Sequence, residues 1–211
     1  MANSLPALSL LETRVLGTLV EKQHTVPDSY PLTLNALVTG CNQKTSRSPV
    51  LEATESEVQA TIDSLKRANL VIESSGSRVA RYTHNVEAVL KIPSQSVAII
   101  AVLMLRGPQT PGELRINCDR MHRFSDLSAV EGFLNELAAR PAGALVAELP
   151  RQSGARENRW VHLLSGMPAL DVISSERQKK PDAEGLEERI ARLEAEVAEL
   201  RAALDRLRPP Q

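Results

Sequence analysis

Apolar positions recur along the chain at the three- and four-residue spacing of helix faces and, in a few short stretches, at the two-residue spacing of strands. Leu10, Leu11, Val15, Leu16, Leu19 and Val20 predict a first helix. Leu34, Leu37 and Val38 after Pro31 predict a second, and Val58, Ile62 and Leu65 after the capping residue Thr54 predict a third. Leu70-Val71-Ile72, the polar turn Ser74-Ser75-Gly76-Ser77 and an extended run to His84 then read as strand, turn and strand. Three helices followed by a hairpin is the order of a winged helix.

The same order returns further along. Val97–Leu105, Pro111–Met121 and Leu127–Ala139 read as helices, and Ala144–Leu149 with Arg159–Leu164 as a hairpin. The matches are also literal. SGSRVARYTH at 75–84 is echoed by SGARENRWVH at 153–162, an offset of 78. Pro31, Thr33, Leu37 and Cys41 match Pro108, Thr110, Leu114 and Cys118 at an offset of 77. Val58, Ile62 and Leu65 match Val130, Leu134 and Leu137 at 72, and Val15, Leu16 and Leu19 match Ile99, Ile100 and Leu103 at 84. Matches in a constant order, with offsets that change only between elements, indicate a duplicated structural unit. The expected architecture is mainly α with small β-hairpins (α+β): two tandem winged-helix domains, 1–92 and 93–166, then a C-terminal coiled-coil helix. On each second strand, alternation turns Tyr82, His84, Trp160 and His162 inward and Arg81 and Arg159 outward.

After Gly166-Met167-Pro168 the pattern changes again. Residues 167–185 read as a linker, and over 186–208 the residues Leu186, Ile190, Leu193, Val197, Leu200, Leu204 and Leu207 alternate spacings of four and three. With Ile190 and Val197 at a and Leu193, Leu200 and Leu207 at d, this seam favours a parallel dimer, and Arg189 to Glu194 and Glu196 to Arg201 supply the flanking charge pairs. The homodimer competes with an amphipathic helix folded back on its own chain.

Composition narrows the functional classes. The 211 residues are 42% hydrophobic with a formal charge of −1, and no segment forms a basic block, so attraction to nucleic acid would have to come from local patches. Cys41 and Cys118 lie far apart without paired spacing; a disulfide framework and a four-ligand zinc site are not indicated. The N-terminal MANSLPALSL lacks a basic region and a long apolar core, and the most apolar run, Val97–Leu105, is far short of the roughly 20 residues that span a bilayer. A cytoplasmic protein with no membrane contact is expected.

The clearest local basic feature between the second and third helices is the segment CNQKTSRSPV at 41–50. With LSLLETRVLGTLVEKQ at 8–23 and PDSYPLTLNAL at 27–37, it makes the chain resemble the YceH family of uncharacterised bacterial proteins over about residues 9–165. The resemblance implies tandem winged helices and carries over no activity, cofactor or catalytic residue.

Asn42, Gln43, Ser46, Lys44 and Arg47 suit a phosphate clamp, because short polar groups position a duplex while Lys and Arg neutralise it. They equally suit an ordered loop whose amides bond backbone. Arg78, Arg81, Arg156 and Arg159 in the hairpins could reach phosphate or the minor groove, or simply cover apolar surface with their stems. Against base reading stand the third helices, which carry Glu55, Glu57 and Asp63 in one repeat and Asp126, Glu131 and Glu136 in the other. Cys118 and His122 share a helical face, but further metal ligands are missing and Cys41 has no matching histidine. No phosphate-binding glycine loop or catalytic triad is visible. Two functions stay open: a DNA-associated, regulator-like protein contacting double-stranded DNA, and a protein-interaction adaptor whose acidic helices take a basic partner.

Overall fold

The computed structural model describes residues 6–74, 79–151 and 154–167. The 186–208 seam, most of the 167–185 linker and Arg78 lie outside the described residues. The fold is mixed α and β, with seven α-helices and small antiparallel sheets among the described residues.

Helix α1 (Leu10–Thr25) starts at a capping box, in which Ser9 and Glu12 each accept the other's backbone N–H. A single 3-10 turn at Pro27–Ser29 leads to strand β1 (Leu32–Thr33) and helix α2 (Leu34–Cys41), whose first turn is capped by Thr33. Helix α3 (Glu55–Arg67) begins with a second capping box from Thr54 and Glu57. Strands β2 (Val71–Ser74) and β3 (Arg81–His84) complete a sheet in the order β1-β3-β2.

A short helix α4 (Val86–Leu90) leads into α5 (Ser94–Arg106), α6 (Pro111–Cys118) and α7 (Leu127–Ala138), then strands β4 (Val146–Glu148) and β5 (Trp160–His162). α6 carries the capping box Thr110 and Glu113, and α7 is capped by Asp126. The expected second helix of this repeat ends earlier than Met121: the chain turns at Asp119, and the N–H groups of Met121 and His122 both return to the carbonyl of Cys118.

Strand register repeats the sequence echo. Leu32 faces Tyr82 in the first sheet, and Gln109 bridges to Trp160 in the second, the same pair displaced by 77 and 78 residues. The periodic pattern did not disclose β1 as a third strand, because two residues carry no periodicity. Tyr82 and Trp160 point inward as expected, yet Val161 is buried as well, so β5 is covered on both sides.

Helices α1 and α5 occupy the centre. Residues from Thr13 to Val20, and from Ser96 to Leu105, are buried without a break, so neither helix keeps a solvent face along that length. Their approach is close at Gly17, where a Cβ would stand 2.9 Å from Leu105 Cγ. α2 crosses α1 at Gly40, where a Cβ would meet Thr18 Cγ2 at 2.6 Å. The two repeats share one continuous core. Backbone and side-chain bonds also join them: Leu8 N–H to Leu164 O, Ser48 N–H to Leu105 O, and the Arg140 guanidinium to Leu90 O. The residues up to Met167 form one compact unit. None of the described helices is long and apolar enough to cross a membrane.

Candidate functional site

The loop 42–54 follows the C-terminus of α2, where the last carbonyls of a helix lack intrahelical partners and the macrodipole is negative. Two guanidinium groups meet this end. Arg14, wholly buried on α1, donates from Nη1 to Cys41 O at 3.0 Å and from Nη2 to Pro49 O at 2.6 Å. Its Nε–H has no partner among the described residues.

Arg47 goes further. Nε and Nη2 donate to Gly40 O at 3.2 and 3.1 Å, Nη1 donates to Ser46 O at 2.9 Å, and the Glu21 carboxylate accepts from Nη1 at 3.4 Å and from Nη2 at 2.5 Å. A guanidinium has five N–H donors in a fixed fork, and here each one has an acceptor inside the protein. The Arg47 side chain is 0% exposed. Burial pushes the Glu21 carboxyl upward, but the bonds and charge of Arg47, aided by Lys22, outweigh it and hold its pKa below the usual value.

The rest of the loop is tied down in the same manner. The Asn42 amide exchanges two bonds of 2.8 Å with the backbone of Ala53. Gln43 accepts from Lys22 Nζ and donates to Thr45. Ser46, at a left-handed φ of 59°, accepts from Arg106 Nη2 at 2.7 Å. Lys44 alone among the expected clamp residues is fully at the surface. Of the residues expected to form a phosphate clamp, Arg47 has every donor used within the fold, and Asn42 and Gln43 are bonded to the loop itself, so the loop joins α1, α2 and α5.

The hairpin arginines divide. Arg81 Nη1 donates to Pro31 O at 2.8 Å, and Arg159 Nη1 donates to Pro108 O at 2.7 Å, the same contact in each repeat. Arg159 also holds both oxygens of Glu113 at 2.8 Å. These two side chains clasp each hairpin to the residues ahead of α2 and α6, and the Arg159 side chain stays 35% exposed. Arg156 is exposed.

The echoed histidines also behave alike. His84 Nδ1 accepts from Val86 N–H while Nε2 pairs with Gln23, bonds that fit a neutral ring. Burial, with His24 nearby, pushes its pKa down to about 4. Burial does the same to His162, whose Nδ1 has no partner among the described residues. The thiols move the other way: burial raises Cys41 to about 11 and Cys118 to about 12, so both are un-ionised and poor nucleophiles at neutral pH. His122 lies edge-on to Phe124 at 4.6 Å. No group of three or more metal-ligating side chains occurs among the described residues.

The acidic third helices are partly self-serving. Glu57 and Asp126 cap their own helices, and Asp63 accepts from Gln59. Glu55, Glu131 and Glu136 remain exposed. Between α7 and the β4–β5 hairpin lies a groove of about 350 Å³. Pro111, Leu127 and Trp160 provide apolar lining; Glu131, Glu148 and Glu157 provide carboxylates; Arg151 and Arg156 provide the cations.

Sequence reasoning missed Arg14, Arg151 and the groove itself. A charged residue inside the run LETRVLG was the available signal for Arg14, since its neighbours Thr13, Val15 and Leu16 are core positions. The groove had no such signal, because α7 and the hairpin meet only in three dimensions.

A family described as "Protein of unknown function, DUF480" matches residues 8–155. The chain is 60% identical over 207 residues to a UPF0502 protein of Dechloromonas aromatica (strain RCB), covering 97% of each chain. It is 62% identical over 171 residues to a UPF0502 protein of Methylibium petroleiphilum, covering 81% of this chain and 73% of the relative. A UPF0502 protein of Burkholderia thailandensis is 54% identical over 204 residues, covering 94% and 87%.

Proposed function

The chain belongs to the DUF480 (UPF0502) family, which includes YceH, and we propose that it is a cytoplasmic, non-enzymatic tandem winged-helix adaptor that binds a basic segment of a partner protein. The observation that carries this reading is the use of the arginines. Arg47 spends all its donors within its own fold, Arg81 and Arg159 are tied to carbonyls ahead of α2 and α6, and the groove between α7 and the second hairpin carries Glu131, Glu148 and Glu157 around Leu127 and Trp160. In a winged helix the third helix and hairpin are the elements that face DNA, and carboxylates there repel phosphate but complement Lys or Arg on a peptide.

A second reading, contact with double-stranded DNA, is favoured by one observation: Arg151 and Arg156 stand exposed at the same groove. Anisotropy of a mixed-sequence DNA duplex at about 50 and 200 mM salt separates the two. The adaptor reading expects no saturable binding. Salt-sensitive binding that Arg151→Ala with Arg156→Ala abolishes would replace it with the DNA reading. The positive arm places a photo-crosslinking residue at Leu127; the protein it captures should be lost from the Glu131→Lys/Glu157→Lys variant and should cross-link through a Lys- or Arg-rich segment.

The heptad seam Leu186 to Leu207 supports a homodimer of such adaptors, which would present two grooves and raise avidity for a bivalent partner. Light scattering at micromolar concentration should give the dimer mass for the parent and the monomer mass for Leu193→Glu/Leu200→Glu. Equal masses would remove the seam as the cause of a dimer.

A further inference from the structure

A second surface of the same repeat has the opposite charge. On the solvent face of α6 and the turn after it, Arg115, Arg120 and Arg123 are all exposed. The neighbouring carboxylate, Asp119, is already taken by Arg123 Nε at 3.0 Å. At the centre stands Ile116, 74% exposed, on the face of α6 opposite the buried Leu114 and Cys118. Beside it a groove of about 650 Å³ is lined by Arg115, Ile116, Asp119, Arg123, Phe124 and Ser125.

Packing within the fold gives no reason for this isoleucine. Leu114 and Cys118 already supply the inward face of α6, and at the equivalent place of the first repeat, 77 residues earlier, stands the polar Thr39, whose hydroxyl bonds Asn35 O. The floor is firm: Phe124 is 4% exposed and is held edge-on between His122 and Phe133, at 4.6 and 5.8 Å. An apolar residue ringed by arginines over a rigid aromatic floor is the arrangement of an interface anchor, since water-excluded centres with Arg around them dominate binding energy.

We infer that the solvent face of α6 and the turn after it form a second docking surface, one that takes an acidic segment of a partner protein carrying an apolar anchor residue. Charge complementarity selects the partner: Arg115 and Arg123 line the groove, Arg120 is exposed on the same turn, and Asp119 is the one carboxylate in the groove lining. The apolar centre separates a peptide from a nucleic acid. A sugar-phosphate backbone would pair with the arginines but leave Ile116 and the groove beside it unfilled, whereas an amphipathic acidic segment satisfies both. This surface goes beyond the groove at α7: its charge is opposite and it shares none of its lining residues.

Random peptides displayed on phage, selected against the full chain at physiological salt, provide the test. The expected result is a set rich in Asp and Glu around an apolar residue, whose binding weakens by about tenfold or more in Ile116→Ser and in Arg115→Glu. Both positions are exposed, and unchanged melting temperatures would show the variants folded; Ile116→Ser alone suffices if the charge reversal disturbs the fold. The inference is overturned if no peptide is enriched, if enriched peptides bind both variants as tightly as the parent, or if a DNA duplex displaces them. Basic peptides that depend on Glu131 would support the groove at α7 and, found alone, would also overturn this surface.

Discussion

The loop 42–54 after α2 and the turn 119–126 after α6 occupy the same place in the two repeats and use their cations in opposite ways. In the first, Arg47 folds under the end of α2 and reaches Glu21 on α1. In the second, Arg120 and Arg123 stay outside. The longer loop has enough chain to turn back, and it finds a half-buried carboxylate to neutralise the guanidinium; the shorter turn has neither. Desolvating an arginine is favourable only where its donors and its charge are both answered, so one loop became a structural joint and the other a surface.

The largest expected effect comes from breaking that joint. Arg47→Ala removes the bonds to Gly40 O and leaves Glu21 with Lys22 as its remaining cation, and should cost about 3 kcal/mol in urea unfolding. Arg47→Lys should recover less than half, because an ammonium cannot supply five directed donors. A cost for Arg47→Ala below about 1 kcal/mol, the range of exposed charges, would mean that the loop is no joint.

An intermediate effect tests what the repeats have in common rather than where they differ. In the unfolded chain the two imidazoles take up protons near 6.5, whereas in the fold His84 and His162 do so only at about 4. Between those values the unfolded state binds more protons, so the stability they contribute is complete above about 6.5 and is lost as pH falls toward 4. The loss should be on the order of a few kcal/mol for the pair. Unfolding free energies of the parent and of His84→Gln/His162→Gln, compared between pH 7 and about 4.5, should show the shallower slope in the variant; parallel slopes would refute the assignment.

The smallest effect belongs to the outward turn. Arg120→Ala should change stability by less than about 0.5 kcal/mol. A cost near that of Arg47→Ala would erase the contrast between the two loops.

Much of the architecture was legible because its causes are local. Ser9, Thr33, Thr54 and Thr110 cap the helices that follow them, and apolar spacing placed the core positions of six of the helices. The recurrence of SGxRxxR with an aromatic and a histidine correctly marked equivalent strands. The candidate site was less legible. Arg47 and Lys44 are three residues apart in one polar loop, and nothing in the segment says that one is buried and the other exposed; the difference lies in Glu21, which belongs to another helix. Arg81 and Arg159 were placed on the outer face by alternation, yet alternation reports a direction and not the carbonyl waiting there.

What the chain determined by itself is the six longer helices, the hairpin strands and their order, since each depends on residues within a turn or a strand of one another, and the duplication, since it is a recurrence of those local patterns. What the tertiary structure decided is which charges became part of the fold. That depends on bringing a helix C-terminus, a carboxylate and a guanidinium together across 26 residues from Glu21 to Arg47, and hydrogen-bond directionality leaves no periodic trace in the sequence.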